Sequence, residues 1–117
     1  MDSKSLSLAK ELLGKSVKIK IDRQLGSKHP KWGFVYDVNY GFVEGVMAPD
    51  GEEIDAYLLK VNTPVKDFEG IVVAIVHRLD NDDDKLVVVP DGENVANEEI
   101  DKATQFQEKF FKHEIVR

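Results

Sequence analysis

The stretch Gly70-Ile71-Val72-Val73-Ala74-Ile75-Val76-His77-Arg78-Leu79 contains the longest uninterrupted apolar run of the chain. Its length and its β-branched residues predict a buried strand. An acidic turn at residues 80–84 follows this strand, and Lys85-Leu86-Val87-Val88-Val89-Pro90 predicts the next one. The centre of the chain is therefore expected to be β-structure.

Three more segments predict strands. Residues 17–22 alternate apolar and polar side chains, which is typical of a strand with one wet face. Residues 54–61 read as a strand that leaves the Asp50-Gly51 turn. Residues 32–43 are rich in aromatic side chains at even positions, which share one face in an extended chain and are mostly expected in the core: Trp32, Phe34, Tyr36, Tyr40 and Phe42.

Helices are predicted at both ends of the chain. The N-terminal helix lies within residues 1–15, where Gly14 is a plausible stop. The C-terminal helix covers residues 97–112, with Asn97 as its cap and Glu98 and Glu99 in its first turn. The fold expected is mainly β (α+β). It is a single domain of residues 1–117, in which residues 16–90 form a small closed or partly closed β-barrel between the two helices.

Composition excludes several functions. A net charge of −6 argues against a nucleic-acid or acidic-membrane partner, whose phosphates require a basic face. The chain has no Cys, which rules out a disulfide, a thiolate zinc site or a cysteine nucleophile. No apolar run approaches the roughly 20 residues of a membrane span, and no apolar leader precedes the first helix. We expect a soluble, cytoplasmic protein.

Two acidic turns hold eight of the 22 acidic residues. The first spans Asp50 to Asp55 and the second spans Asp80 to Asp84. Converging carboxylates repel one another, and a bound cation or raised pKa values offset that cost. Each turn by itself also fits a solvated acidic loop. If the two turns meet, their all-oxygen donor set favours magnesium or manganese over zinc.

A basic loop interrupts this acidic chain at residues 23–31. Four of its nine residues can carry positive charge, namely Arg23, Lys28, His29 and Lys31. Next to a carboxylate cluster, such a reversal of charge suggests an anion bridged to a metal ion. An ordinary turn with solvated lysines explains the same residues, so the loop alone leaves both interpretations open.

Four segments carry a specific resemblance, which runs from about residue 16 to residue 111. They are Leu25-Gly26-Ser27, Tyr36-x-x-Asn39-Tyr40-Gly41-Phe42-Val43, Ala48-Pro49-Asp50-Gly51-Glu52-Glu53-x-Asp55-Ala56-Tyr57 and Asp83-x-Lys85-Leu86-Val87-Val88-Val89-Pro90. With these segments the chain resembles the soluble family I inorganic pyrophosphatases, and most closely their short pyrophosphatase-like subgroup. The order and spacing of the second and third segments are the most specific part of the likeness.

The resemblance implies a distorted OB-like barrel that hydrolyses pyrophosphate to two phosphates with Mg²⁺, or with Mn²⁺, commonly as a homo-oligomer. By resemblance, Glu52 accepts a proton from the attacking water. The implied metal ligands are Asp50, Asp55, Asp83 and Asp80. The implied phosphate-binding residues are Tyr40, Lys85 and Lys31, with Lys28 as a substitute for an arginine of a first hairpin that this chain lacks.

Besides the missing hairpin, the chain departs from the family pattern at two places. The signature Asp-x-Asp-Pro-x-Asp becomes Asp50-x-Glu52-Glu53-x-Asp55, and a Tyr-Lys pair of the family falls at Phe110-Phe111. These changes leave a second function open, a non-catalytic module of the same fold that binds a phosphorylated metabolite. Hydrolysis of another phosphoanhydride is a third possibility, and an OB-type nucleic-acid binder is the fourth.

Overall fold

The computed structural model describes residues 3–49, 51–79 and 83–117. Within these residues the chain forms two helices and six strands, in the order α1 (Lys4–Leu12), β1 (Ser16–Arg23), β2 (Asn39–Met47), β3 (Glu53–Leu58), β4 (Asp67–Arg78), β5 (Lys85–Val89), α2 (Asn97–Glu108) and β6 (His113–Val116). The content is mainly β, with one helix before the strands and one near the C-terminus, as the sequence predicts.

The strands close into a barrel. Their order is β1-β2-β3-β5-β4, and a β1–β4 pairing joins the two ends of this five-stranded sheet. Every pairing is antiparallel except that of β3 with β5. The predicted OB-like closed barrel is thereby confirmed.

Strand β4 is long enough to pair with two other strands along one of its edges. Its first half pairs with β1 from Asp67 to Ile71, and its last residues pair with β6 from Ile75 to Arg78. Strand β5 occupies the opposite edge, because Ile71 and Ile75 are each paired on both sides. Strand β6 was not predicted from the sequence, and it extends the barrel wall beyond the end of β1.

One close approach requires a glycine. A Cβ atom built on Gly41 would lie 1.8 Å from the carbonyl oxygen of Lys20 in the neighbouring strand β1. A real Cβ atom cannot approach a carbonyl oxygen to that distance, so the β1–β2 contact forms only with glycine at this position. Strand β2 is thereby held tightly against β1, and the next residue toward its start is Tyr40.

The core lies on both faces of the central strands. One face joins Ile54 and Leu86 to Leu6 and Ala9 of α1. The other face joins Tyr57 and Val87 to the residues of α2 that point toward the barrel, including Ile100 and Phe106. All five residues of β5 are buried, because both of its faces are covered. This explains why its sequence is continuously apolar after Lys85.

The aromatic segment differs from its prediction. Strand β2 begins only at Asn39, and the preceding residues form a tight hairpin in which Lys28 bridges Val35. Gly33 takes a φ of 78° at the tip, so the chain turns there and the even positions no longer share a face. Tyr36 is buried and Trp32 is 68% exposed, so the prediction that these five rings share one face was wrong.

The two helix predictions need small changes. Ser3 caps α1, since its Oγ accepts a hydrogen bond from the Leu6 amide at 3.1 Å. Helix α2 is capped at Ala96, whereas Asn97 is already helical and its Oδ1 accepts from Arg117 Nε at 2.9 Å. Asn97 as the cap was therefore wrong, and α2 ends at Glu108 rather than at residue 112. In the described ranges, neither helix is long and apolar enough to cross a bilayer.

Candidate active site

Lys85 lies at the centre of a polar cluster at one end of the barrel. It is the first residue of β5, and its side chain is only 4% exposed. Its Nζ donates to Asp55 Oδ2 at 2.6 Å and to Asp83 Oδ1 at 2.7 Å. Both carboxylates are partly exposed, so the cluster opens toward solvent on the carboxylate side.

Strand register brings these residues together. In the parallel β3–β5 pair, Ala56 lies opposite Leu86, so the residues just before them, Asp55 and Lys85, are neighbours across the ladder. Asp83 comes from the segment that leads into β5, two residues before Lys85. The two acidic segments predicted from the sequence therefore meet in space at one lysine.

Tyr40 completes the cluster from β2. It lies opposite Tyr57 in the β2–β3 register, and its hydroxyl is hydrogen-bonded to the Asp55 carboxylate. Burial raises the pKa of Tyr40 well above its usual value, and the negative charge of Asp55 raises it further. The phenol therefore stays protonated at neutral pH and acts as a hydrogen-bond donor.

A second, largely buried network adjoins the cluster. Glu108 of α2 accepts hydrogen bonds from Arg78 Nε at 3.0 Å and from the other guanidinium branch at 2.9 Å. It also accepts from the Tyr57 hydroxyl at 2.6 Å, and Gln107 Nε2 donates to that hydroxyl at 2.7 Å. The side chain of Glu108 has no exposed surface and that of Arg78 is 6% exposed.

Glu108 raises the pKa of two members of this network, Arg78 and Tyr57. Burial lowers the pKa of Arg78, but the hydrogen bonds and charge of Glu108 raise it more, so the net shift is upward. Burial raises the pKa of Tyr57 well above its usual value, and Glu108 adds to that rise. Arg78 also donates to Asp83 Oδ2 at 3.1 Å, so the network holds one of the cluster's carboxylates.

Asp84 lies between Asp83 and Lys85, and its contacts anchor this part of the backbone. Its Oδ1 lies 2.7 Å from His77 Nδ1 and accepts from the Arg78 amide at 3.1 Å. Its own amide donates to Ser5 Oγ in α1 at 3.2 Å. Oδ2 is buried and, among the described residues, has no hydrogen-bond partner. These contacts fix the backbone that presents Asp83 and Lys85 on either side of it.

A cavity of about 660 Å³ adjoins the cluster. Its lining is mainly aromatic, with Lys85, Arg78 and Gln107 as its other members, and the rings come from His29, Trp32, Phe34, Tyr40, Phe110 and Phe111. The Phe111 ring lies 3.7 Å from the Arg78 guanidinium carbon, a stacked cation–π contact. Trp32 and Phe110 are 68% and 63% exposed at its rim.

The residues predicted for the site fall into three groups. Tyr40, Asp55, Asp83 and Lys85 are brought together. Glu52 is exposed in the bend before β3, Lys28 lies in the hairpin bridge, and the Lys31 ammonium lies 4.8 Å from the Trp32 ring centroid. Asp50 and Asp80 lie outside the described residues.

Arg78 and Glu108 were missed by the sequence reasoning. Arg78 interrupts an apolar strand at its end, and Glu108 follows Ile100 and Thr104 at intervals of four on the buried side of α2. A charged residue on an apolar helical stripe is a signal of a buried partner. That signal could have identified Glu108, although not its partner.

The donor set fits a hard cation. Asp55 and Asp83 each present a carboxylate oxygen to one positive charge, the Lys85 ammonium. In the part of the chain that the structure describes, no group of three acidic or histidine side chains is placed to hold a metal ion. A hard divalent ion such as Mg²⁺ or Mn²⁺ keeps several water ligands when only two carboxylates bind it. Two carboxylates therefore suit such an ion better than a metal ion that takes all of its ligands from the protein.

Fold and cluster together define a small β-barrel protein in which two carboxylates, a lysine and a tyrosine hydroxyl converge at one end. The sequence profile described as "Pyrophosphatase: Inorganic pyrophosphatase" matches residues 7–116, and the chain belongs to this family of diphosphatase hydrolases. The resemblance noted in the sequence is thereby confirmed. No curated protein sequence matches the chain.

Solved structures of the family share the fold. The inorganic pyrophosphatase of Helicobacter pylori is 18% identical with a TM-score of 0.69. The match covers 87% of this chain and 84% of the Helicobacter pylori chain. That of Ehrlichia chaffeensis is 18% identical with a TM-score of 0.67, at 87% and 85% coverage. The Thermus thermophilus enzyme is 19% identical with a TM-score of 0.61, at 87% and 80% coverage.

Proposed function

We propose that the chain hydrolyses inorganic pyrophosphate to two phosphates in a Mg²⁺-dependent reaction at the Lys85 cluster. The observation that carries this proposal is the convergence of Asp55, Asp83, Lys85 and the Tyr40 hydroxyl at one end of a pyrophosphatase-family barrel. Phosphoryl transfer depends chiefly on positioning and electrostatic stabilisation, and this cluster supplies both.

Lys85 provides a fixed positive charge for the phosphate. Its stem is buried and its ammonium is held by two carboxylates, so its position is set before substrate binds. A pre-positioned cation stabilises the charge that develops on the phosphate oxygens without reorganising during the reaction. Lys28 and Lys31 are proposed to contact the outer phosphate from the adjacent hairpin.

Four aspartates are proposed as metal ligands, with Asp55 and Asp83 joined by Asp50 and Asp80. When bound there, Mg²⁺ would neutralise charge on the phosphates and lower the pKa of a water molecule. Because Lys85 lies between Asp55 and Asp83, it also limits their mutual repulsion. Mn²⁺ suits the same oxygen ligands and is proposed as a substitute.

Tyr40 and Glu52 have complementary roles in this proposal. Tyr40 stays protonated and donates a hydrogen bond to a phosphate oxygen, in place of its bond to Asp55. Glu52 accepts the proton of the attacking water. A glutamate at this position is one methylene longer than the family's aspartate, and misplacement on that scale costs roughly 10²-fold in rate.

A direct test is phosphate release from pyrophosphate, measured with Mg²⁺ and then with Mn²⁺. The parent chain is expected to release phosphate, and Asp55→Asn is expected to lower the rate by at least about 10²-fold and to weaken metal binding. Glu69→Gln, an exposed acid on β4, serves as the matched control. Full activity in Asp55→Asn would remove Asp55 from the mechanism.

The second candidate is a non-catalytic module that binds a phosphorylated metabolite. Phe110 and Phe111 favour it, because they stand where the family has a Tyr-Lys pair and they line the cavity with apolar surface instead. The same assay separates the two functions. Metal binding without phosphate release would exclude pyrophosphate hydrolysis and favour the binding module.

A further inference from the structure

The cavity beside Lys85 is larger and more apolar than pyrophosphate requires. Its volume of about 660 Å³ lies within the range of roughly 300–1,000 Å³ found for small-molecule sites. Pyrophosphate is a small ion without apolar surface, so it makes no use of an aromatic wall. Six of the nine lining residues are aromatic or histidine, which indicates a ligand that carries a flat, apolar part.

The rings of this wall form a connected set. His29 lies 4.9 Å from Phe34 and 6.3 Å from Trp32, and Phe34 lies 6.3 Å from Phe110, all measured between ring centroids. His29 Nδ1 accepts from the backbone amides of Lys31 and Trp32 at 3.1 and 3.0 Å. These two bonds hold the hairpin tip, and therefore fix where Trp32 stands at the rim.

Two of the rings remain largely uncovered. Trp32 and Phe110 come from different parts of the chain, and both line the cavity while keeping more than half of their surface exposed. A Lys ammonium lies over each ring, Lys31 at 4.8 Å from the Trp32 ring centroid and Lys109 at 5.3 Å from that of Phe110. Exposed aromatic rings with cations close by are the combination that binds nucleic-acid bases and their phosphates.

We propose that this site takes a nucleoside di- or triphosphate, with the base against Trp32 and Phe110 and the phosphoanhydride at Lys85. The inference rests on the proposed function, since the same cluster holds the phosphates. For a triphosphate, water attacks the terminal phosphorus and the bridging P–O bond breaks. The nucleoside diphosphate leaves with the bonding electrons, and the proton of the water passes to Glu52.

A matched pair of ligands tests this assignment. Adenylyl imidodiphosphate and imidodiphosphate share a slowly hydrolysed phosphate end and differ by the nucleoside part. The chain has one tryptophan, so its fluorescence reports Trp32 alone. With Mg²⁺ present, the nucleotide analogue is expected to quench this emission, and imidodiphosphate is not. Free tryptophan titrated with the same nucleotide corrects for absorption.

Calorimetry on variants then locates the base. Phe110→Ala is expected to lower the ratio of nucleotide-analogue affinity to imidodiphosphate affinity by roughly 5- to 100-fold, the range for loss of one stacking surface. Met47→Ala removes an exposed apolar side chain that is not part of the cavity lining, and it is expected to leave the ratio at the parent value.

The outcomes separate this inference from the proposed function. If both ligands bind and the ratio is the same in Phe110→Ala and the parent chain, the nucleotide assignment is wrong and the pyrophosphate site stands. If neither binds, both proposals fail. If acrylamide cannot reach Trp32 in the free protein because a second copy covers the cavity, the nucleotide assignment also fails.

Discussion

Glu108 offers the sharpest test of the buried network, because its carboxylate has no exposed surface and receives three hydrogen bonds. Replacing it with alanine leaves the Arg78 guanidinium buried without its main partner and the Tyr57 hydroxyl without its acceptor. Removing one member of a buried ion pair costs about 3–5 kcal/mol. The lost tyrosine bond adds about 1 kcal/mol.

The expected loss in free energy of unfolding for Glu108→Ala is therefore about 4–6 kcal/mol. For a domain of this size it corresponds to a fall in melting temperature of about 12–25 °C. Urea unfolding, monitored by circular dichroism, measures the free energy of unfolding, and a thermal scan gives the melting temperature. Glu108→Gln keeps the shape and one acceptor oxygen, so its loss is expected to be smaller.

Two controls isolate the ion pair. Glu98→Ala removes an exposed acid from the first turn of the same helix, and its cost is expected to stay below about 1 kcal/mol. The double variant Arg78→Met with Glu108→Leu replaces both charges by apolar groups of similar size, and it is expected to regain most of the loss. A loss below about 1 kcal/mol in Glu108→Ala would contradict the burial described for this pair.

Two further predictions concern the cluster and its tyrosines. Glu52→Asp shortens the proposed proton acceptor to the length found in the family, and it is expected to raise kcat by up to about 10²-fold. Glu98→Asp, the same change at an exposed helix position, is the control. An unchanged or lower kcat in Glu52→Asp would exclude the idea that Glu52 is misplaced. Burial raises the pKa of all three tyrosines, Tyr36, Tyr40 and Tyr57, above the usual 10.0. The folded chain then keeps protons that the unfolded chain releases, so the free energy of unfolding is expected to fall as pH rises above 10.0. Tyrosinate absorbance should appear only with unfolding, and a full tyrosinate signal from the folded chain near pH 10.0 would refute the burial of these hydroxyls.

The strands were readable from the sequence because their patterns are local. β-branched runs and alternation identify β1, β3, β4 and β5 without any knowledge of pairing. Strand β6 was not predicted because its four residues, His113–Val116, are too few to show an alternating pattern. The position of Trp32 was missed for a related reason: alternation holds only in an extended chain, and Gly33 turns the backbone at that point.

The site was predictable only in part. The spacing of Asp83 and Lys85 is local, and the resemblance connected them to Asp55 and Tyr40. The link between Arg78 and Glu108 spans 30 residues and joins a strand to a helix, so no periodic pattern reveals it. Pairings of that kind depend on where α2 docks on the barrel, and tertiary packing decides this.

The hydrogen bond from the Asp84 amide to Ser5 Oγ joins residues 79 apart in the sequence. Closing a loop of that length costs about 4 kcal/mol of chain entropy, beyond a constant term. That cost is offset only when the intervening strands are ordered, so we expect the segment that carries Asp83 and leads into Lys85 to take its final shape late in folding. A chain whose first helix has not yet docked against the segment before β5 is therefore expected to lack a working centre.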